Sequence, residues 1–253
     1  MTFSAPEERR PRPGRSPSIS YLDFYAQVAG AQLADWAPPT PSRVLDLSDD
    51  GLQWARQLAA AGHAVLHVDR PGILPNAGAT VPGITTVKAD CNGLDWLADG
   101  CVDAVLAEGQ SLSRCLATEQ TCRELFRVLR PGGRLLLVVD SLVTGLARLA
   151  GQGRWAELAD VPFADCVLVP QEDGGISRCF RPEELAALLV DSGMQVQWVR
   201  SRTILTLATV NRALDHGQSA AMAVLLRTEL ALAAEREGEA SGLHLVASAR
   251  RPA

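Results

Sequence analysis

The sequence has no excess of positive charge. Its 24 lysines and arginines are outnumbered by 29 aspartates and glutamates, and the formal net charge is -5 at pH 7. A protein that binds nucleic acid broadly needs a basic face to neutralise phosphates. The charge balance therefore argues against such a face, and we expect no nucleic-acid partner.

Long apolar runs and paired cysteines are also missing. No uninterrupted apolar stretch approaches the roughly 20 residues of a membrane helix, and the first residues lack the apolar run of a secretion signal. We therefore expect a cytoplasmic protein that does not enter a membrane. Six cysteines include no C-x-x-C pair and no histidine at zinc-finger spacing, which predicts reduced thiols and no metal site. They are Cys91, Cys101, Cys115, Cys122, Cys166 and Cys179.

What the chain does contain is the composition of a folded enzyme-sized protein. Its hydrophobic share of 47% and charged share of 21% are ordinary for a globular domain. Residues 1–18 are the exception, because they are rich in arginine and proline and hold little apolar material. We expect 1–18 to be a disordered tail and 19–253 to form one domain.

Apolar runs alternate with amphipathic segments along this domain. Near-continuous apolar strands separated by helices indicate a parallel sheet covered on both faces. After residue 140 the pattern changes to a hairpin, further helices and a closing strand. Helices are predicted at 21–36, 51–61, 118–129, 142–149, 182–191 and 203–237, the last broken near 216–217. Strands are predicted at 43–47, 64–69, 84–90, 102–107, 134–140, 195–199 and 243–249, with the hairpin at 163–180.

Several motifs match one family of enzymes. These are Val44-Leu45-Asp46-Leu47, the segment 58–69 ending in Val68-Asp69, the segment 99–105, the segment 125–135 with Pro131-Gly132-Gly133, and Arg181-Pro182-Glu183-Glu184-Leu185. Together they resemble class I S-adenosylmethionine-dependent methyltransferases of the type 11, UbiE-like kind. The resemblance implies an α/β, Rossmann-like fold whose seven-stranded, mostly parallel sheet has helices on both faces and an antiparallel last strand. It also implies a cofactor half at about 40–140 and a substrate or lid half at 141–253.

The same resemblance assigns roles to residues at the ends of the strands. Asp69 is expected to bind the ribose hydroxyls, next to Arg70, although it could instead cap a turn. Asp90 and Cys91 are expected to contact the adenine, with a turn carboxylate as the alternative. Glu108 and Gly109 are expected to face the methionine portion of the cofactor or the substrate. These positions fit the rule that ligands bind at the carboxyl ends of parallel strands.

The cofactor loop departs from the family pattern of acidic residue, x, Gly, x, Gly, x, Gly. Counting from Asp46 places Ser48, Asp50 and Leu52 at the three glycine positions. Glycine allows the backbone to approach a ligand closely, and a side chain intrudes on that space. We therefore expect Leu52 to place bulk at the methionine end and to weaken cofactor binding. Gly51 offers a partial replacement if the loop is shifted by one residue, and Asp46, Ser48, Asp50 and Gly51 are the loop residues expected to contact the cofactor.

The negative charge of this loop is also expected to weaken cofactor binding. Asp49 and Asp50 stand before a helix N-terminus that would otherwise attract the carboxylate of the ligand. Asp50, followed three residues later by Gln53, also resembles an N-cap with a capping-box partner. The helix N-terminus is then satisfied without a ligand.

No catalytic dyad is evident. Methyl transfer from a sulfonium centre can proceed by proximity and orientation alone, so this does not exclude activity. His216, Glu172 and Asp173 are the candidate bases, with a helix-terminal role as the alternative for His216. Three aromatic side chains of the first helix either pack in the core or cover a ligand pocket. They are Tyr21, Phe24 and Tyr25.

Two functions remain open. The first is S-adenosylmethionine-dependent methylation of a small molecule, with the hairpin at 163–180 and the helices after Thr203 forming the acceptor pocket. The second is a catalytically inactive methyltransferase-like protein with a regulatory or scaffolding role and a protein partner. An oxidoreductase is disfavoured because no G-x-G-x-x-G follows the first strand. The apolar stretch 220–234 could belong to the core or to a homodimer face.

Overall fold

The computed structural model describes residues 19–49, 51–69, 81–89, 93–115, 117–164, 166–215, 221–239 and 241–253. The expected tail at 1–18 lies outside these ranges. So do five of the expected site residues, which are Asp50, Arg70, Asp90, Cys91 and His216.

The order of helices and strands through the first half of the chain agrees with the prediction. The helices are α1 (Ile19–Trp36), α2 (Gln53–Ala60), α3 (Thr118–Val128), α4 (Leu142–Gly151), α5 (Trp155–Asp160), α6 (Pro182–Asp191), α7 (Leu207–Asp215) and α8 (Ala221–Glu235). The strands are β1 (Arg43–Asp46), β2 (Ala64–Asp69), β3 (Ile84–Lys88), β4 (Val102–Ala107), β5 (Leu129–Asp140), β6 (Val167–Pro170), β7 (Ile176–Cys179), β8 (Gln195–Ser201) and β9 (His244–Arg250). None of these helices has the length and hydropathy that crossing a membrane requires.

Seven of the strands form one sheet in the order β3-β2-β1-β4-β5-β9-β8. The pairs among β1 to β5 are parallel, and β9 runs antiparallel between β5 and β8. This confirms the predicted mostly parallel sheet with an antiparallel last strand. Strands β6 and β7 form a separate antiparallel hairpin, also as predicted.

Strand β5 shows why the sheet carries helices on both faces. Leu135, Leu137 and Val139 belong to one buried cluster, which also holds residues of α3 and α6. Leu136 and Val138 belong to another, which holds residues of α1 and α2. Successive side chains of a strand point to opposite faces, so an unbroken apolar run supplies two cores at once.

The segment before the hairpin differs from the prediction. The strand predicted from residue 163 begins only at Val167 as β6, because a 3-10 turn covers Val161–Phe163. Helix α5, which precedes this turn, was not predicted. Phe163 is 88% exposed and Trp155 is 66% exposed. Phe163 was predicted to begin a strand, whereas its side chain lies on the surface, as does that of Trp155 in the unpredicted helix.

Candidate cofactor and acceptor sites

The order of the strands reverses between β1 and β4, and ligands of open α/β sheets bind at the carboxyl ends of the strands on either side of such a point. Asp46 ends β1, Asp69 ends β2, and Glu108 follows β4. Because these strands are parallel, the three carboxylates lie along the same edge. The structure therefore places Asp46, Asp69 and Glu108, which the sequence analysis proposed as cofactor contacts, on one edge of the sheet.

Asp46 is fully buried and both of its carboxylate oxygens are engaged. Its Oδ1 accepts hydrogen bonds from the Ser48 amide at 3.1 Å and the Ser48 hydroxyl at 2.5 Å. Its Oδ2 lies 2.8 Å from Nδ1 of His67, the residue opposite it on β2. Both oxygens of the Asp46 carboxylate are therefore occupied by groups of the protein itself.

The loop after β1 is tied to the loop after β4. The Ser48 hydroxyl accepts a hydrogen bond from the Glu108 amide at 3.2 Å, and the Asp49 amide donates to the Glu108 carbonyl at 3.3 Å. Gly109 has a φ of 80°, and a Cβ placed there would lie 2.9 Å from the Asp49 nitrogen. The two loops meet at Gly109, where this close contact and the positive φ require glycine. The hydrogen bonds between the loops span the crevice at the switch point.

Leu52 corrects one prediction about this loop. Its side chain was expected to place bulk at the methionine end of the ligand site. It is instead 7% exposed and belongs to the buried cluster that includes Leu33 and Trp54. An apolar side chain next to a helix start gains more from burial than from facing a polar ligand edge. Leu52 also occupies the N-cap position of α2, without a side-chain cap, two residues later than the predicted Asp50 cap.

Glu108 forms a buried ion pair that sequence reasoning missed. Its carboxylate accepts a hydrogen bond from Nη2 of Arg202, which follows β8 and is fully buried. Nη1 of Arg202 donates to Oε1 of Gln32 on α1 at 2.5 Å. Burial raises the pKa of the Glu108 carboxyl, and the Arg202 charge opposes that rise.

A cavity of about 620 Å³ opens at the same edge, over the ends of β5, β8 and β9 and beneath α1. Tyr21 and Tyr25 line it, so these two cover a pocket, whereas Phe24 is fully buried. Its wall also includes residues 203–207 and Gln110, but no described residue of the hairpin. The segment after Thr203 therefore lines this cavity, as predicted for the acceptor pocket. The described residues of the hairpin do not line it.

A row of hydrogen bonds crosses the floor of this cavity. Tyr25 Oη lies 3.0 Å from Nδ1 of His244, and Nε2 of Gln110 lies 2.8 Å from Nε2 of His244. Burial lowers the pKa of His244 to about 4, although Asp140, with Oδ1 3.6 Å away, acts in the opposite direction. Burial raises the pKa of Tyr25 to about 12. Both groups are therefore neutral at pH 7.

The predicted bases do not lie in this cavity. Glu172 and Asp173 occupy the exposed turn of the hairpin, where Asp173 pairs with Arg114. The Gly175 amide and then Arg114 lower the pKa of the Asp173 carboxyl. Within the described part of the chain, no cluster of three or more histidine, cysteine, aspartate or glutamate side chains could hold a metal.

Comparison with known proteins shows which domain family and which structures the chain resembles. Residues 44–137 match the family model of the methyltransferase domain. No curated protein is similar to the chain at a significant level. A Haloferax volcanii protein described as a methyltransferase, solved with the Trm112 methyltransferase activator, has a similar structure. It shows a TM-score of 0.59 and 17% identity over 91% of this chain and 92% of that one.

Two further structures resemble the chain. One is the Burkholderia thailandensis 1,6-didemethyltoxoflavin-N1-methyltransferase with bound 1,6-didemethyltoxoflavin and S-adenosylhomocysteine. It has a TM-score of 0.53 and 16% identity over 93% of this chain and 82% of that one. The other is the [4+2]-cyclase SpnF, with a TM-score of 0.52 and 18% identity over 96% and 85%. Residues 44–137 therefore match a methyltransferase domain, and the similar structures and the strand order show the fold of class I S-adenosylmethionine-dependent methyltransferases.

Proposed function

We propose that the protein transfers a methyl group from S-adenosylmethionine to a small molecule held in the cavity beneath α1. The observation that carries this proposal is the position of that cavity. It opens at the carboxyl edge of the sheet, and its wall includes Gln110, two residues beyond Glu108 at the switch point. Its volume lies within the roughly 300–1,000 Å³ of small-molecule sites.

The nucleoside end of the cofactor has a fitting partner in Asp69. This half-buried carboxylate ends β2, and no other described residue forms a hydrogen bond with its side chain. Two ribose hydroxyls could donate to it. Arg70, Asp90 and Cys91 remain the proposed neighbours of the ribose and adenine, and Glu108 and Gly109 those of the methionine portion or the substrate.

Each part of the acceptor site has a physical task. The bound cofactor supplies an electrophilic methyl group. The walls of the cavity exclude water and hold the acceptor near the switch point, which is the main requirement for this displacement. Neutral His244 has one lone pair and one N–H group, so it can exchange its bond with Gln110 for one to a hydroxyl or amine of the acceptor.

One observation favours a second candidate, a methyltransferase-like protein without methyl transfer. The hydrogen bonds that the Glu108 amide donates to Ser48 and the Glu108 carbonyl accepts from Asp49 span the crevice where the methionine end is expected. A protein with a permanently closed crevice could still bind a ligand in the cavity or a protein partner. The similar structure of a [4+2]-cyclase illustrates that fold does not determine chemistry.

Calorimetric titration with S-adenosylhomocysteine separates the two candidates. We expect saturable binding to the wild-type protein and roughly tenfold or greater weakening in Asp69→Asn, because hydrogen bonds to a charged group contribute about 1.5–3 kcal/mol. Asp35→Asn, at an exposed position on α1, is the control and should bind as the wild type does. No binding at millimolar ligand would favour the second candidate. Unchanged affinity in Asp69→Asn would refute the ribose role.

A further inference from the structure

The wall of the cavity beneath α1 is uncharged. None of its described residues is an aspartate, glutamate, lysine or arginine, and its histidine, His244, is neutral at pH 7. The charged side chains that act on His244 are already paired, Asp140 with Arg148 and Arg202 with Glu108. A charged group that entered the cavity would lose its hydration and gain no opposite charge. The wall therefore favours an uncharged ligand.

Much of this wall is apolar, including the part that faces solvent. Leu22, Leu207 and Leu243 line the cavity and are exposed, so they lie at its mouth. The apolar side chains that continue the wall are half-buried, and they are Val143, Ile204 and Leu205. Exposed apolar side chains around a cavity are typical of a ligand-binding groove, because a ligand that covers them removes apolar surface from water. The body of the ligand is therefore expected to be apolar.

The hydrogen bonds of His244 define one polar contact within this apolar wall. Tyr25 holds the imidazole, because its Oη bonds to Nδ1 and the two rings meet edge to face with centroids 5.7 Å apart. Nε2 therefore faces the amide of Gln110. That amide can present nitrogen or oxygen, so in either tautomer of His244 one of the facing atoms donates and the other accepts.

A hydroxyl group is the simplest neutral group that satisfies both facing atoms. It donates to one and accepts from the other when it lies between them. A carboxylate or a methyl ether only accepts, so it leaves one of the two atoms without a partner. The other hydroxyls of the wall are already paired, Tyr21 with Thr203, Thr206 with Thr209, and Ser241 with Glu239.

The backbone of Gln110 supports a binding role for its side chain. Its φ is 66°, and no other non-glycine residue in the described part of the chain has a positive φ. Strained backbone of this kind is concentrated at binding sites, where the surrounding structure maintains it. Gln110 directly follows Gly109, so a group bound at its amide lies next to the crevice at the switch point.

We propose that the acceptor is an uncharged, largely apolar molecule with a free hydroxyl group, a phenol or an alcohol, whose oxygen binds between His244 and Gln110. This proposal rests on the proposed function and narrows its acceptor. The hydroxyl replaces the contact between the two side chains, so each of them keeps a partner. The apolar body of the molecule covers the leucines at the mouth. Carboxylates, phosphates and aliphatic amines are disfavoured because they are charged at pH 7.

The test compares head groups on two apolar scaffolds, naphthalene and butylbenzene. Each scaffold carries a hydroxyl, a methoxy or a carboxylate group, as in 2-naphthol, 2-methoxynaphthalene and 2-naphthoate or their 4-butylphenyl counterparts. Equilibrium dialysis at pH 7 measures their binding to the wild-type protein without S-adenosylmethionine. On at least one scaffold, we expect the hydroxyl compound to bind about fivefold more tightly than the ether and at least about tenfold more tightly than the carboxylate. Failure of both hydroxyl compounds to bind, or equal affinity for the three head groups, would overturn the proposal.

His244→Phe removes both ring nitrogens and keeps a planar ring. We expect it to weaken binding of the hydroxyl compound about fivefold and to change binding of the ether by less than about twofold. His63→Phe is the control, because His63 is also buried but precedes β2, at the opposite edge of the sheet. It should bind all probes as the wild type does. An equal loss for hydroxyl and ether in His244→Phe would assign His244 a structural role and contradict the proposal.

A second variant reverses the preference for uncharged ligands and does not alter the buried histidine. Leu243→Lys places a cation at the mouth of the cavity and should strengthen carboxylate binding at least about fivefold. Leu168→Lys, at an exposed position on β6 outside the cavity wall, should not. Thermal unfolding verifies that each variant is folded. Unchanged carboxylate affinity in Leu243→Lys would show that the probes bind elsewhere and would overturn the proposal.

The outcome for the hydroxyl site is separate from that for the proposed function. If S-adenosylhomocysteine binds and neither hydroxyl compound does, the proposed function stands and this inference fails. If the hydroxyl compounds bind as expected and S-adenosylhomocysteine does not, the hydroxyl site stands and methyl transfer fails.

Discussion

Leu52→Ala tests whether this side chain packs in the core or obstructs the cofactor. Leu52 is 7% exposed, so truncation removes buried methyl groups and leaves a cavity. Comparable substitutions cost about 2–5 kcal/mol, which corresponds to a fall in Tm of roughly 5–15 °C for a domain of this size. Chemical and thermal unfolding of the variant and the wild type measure the difference.

Leu168→Ala is the matched control, because Leu168 is 51% exposed on β6 and its truncation should change stability by less than about 1 kcal/mol. Affinity for S-adenosylhomocysteine is measured on the same samples. A stability loss in Leu52→Ala below about 0.5 kcal/mol, together with tighter binding, would show that Leu52 obstructs the ligand.

Three further perturbations have defined outcomes. Gly109→Ala places a Cβ 2.9 Å from the Asp49 nitrogen at a φ of 80°, so it should lose about 2–3 kcal/mol in urea unfolding; unchanged stability would contradict the observed contact. The pKa of His244 in the folded protein is about 4, below its ordinary value of 6.5. Its contribution to the free energy of unfolding is therefore lost as the pH falls from 6.5 towards 4. Between pH 7 and 4.5 the wild type should lose about 2–3 kcal/mol more than His244→Gln, and equal losses would refute burial as the cause. Tyr21→Phe leaves Tyr25 as the sole tyrosine, which should ionise near pH 12 by absorbance; a midpoint near 10 in the folded protein would argue against its burial.

The sheet and the carboxylate edge were predictable because both depend on local patterns. The unbroken apolar run of β5 requires helices on both faces, and parallel strands bring their carboxyl ends to one edge. Asp46, Asp69 and Glu108 could therefore be placed together without knowing any contact between them.

The ion pair and the cavity could not be predicted, because their residues meet only in the folded chain. Arg202 and Glu108 are 94 residues apart, and His244 and Gln110 are 134 apart. Nothing local distinguishes Arg202 from an exposed arginine at a strand end. For Leu52, a family pattern defined for glycine showed that a side chain is present but not which way it points.

A crystal structure with S-adenosylhomocysteine tests the central claim most directly. We expect the ribose hydroxyls within hydrogen-bonding distance of Asp69, the amino-acid end beside Glu108 and Gly109, and the sulfur facing the cavity beside Gln110. A nucleoside bound away from the carboxyl edge would contradict the claim. So would crystals grown at saturating ligand that show no nucleoside and an intact hydrogen bond between Ser48 and Glu108.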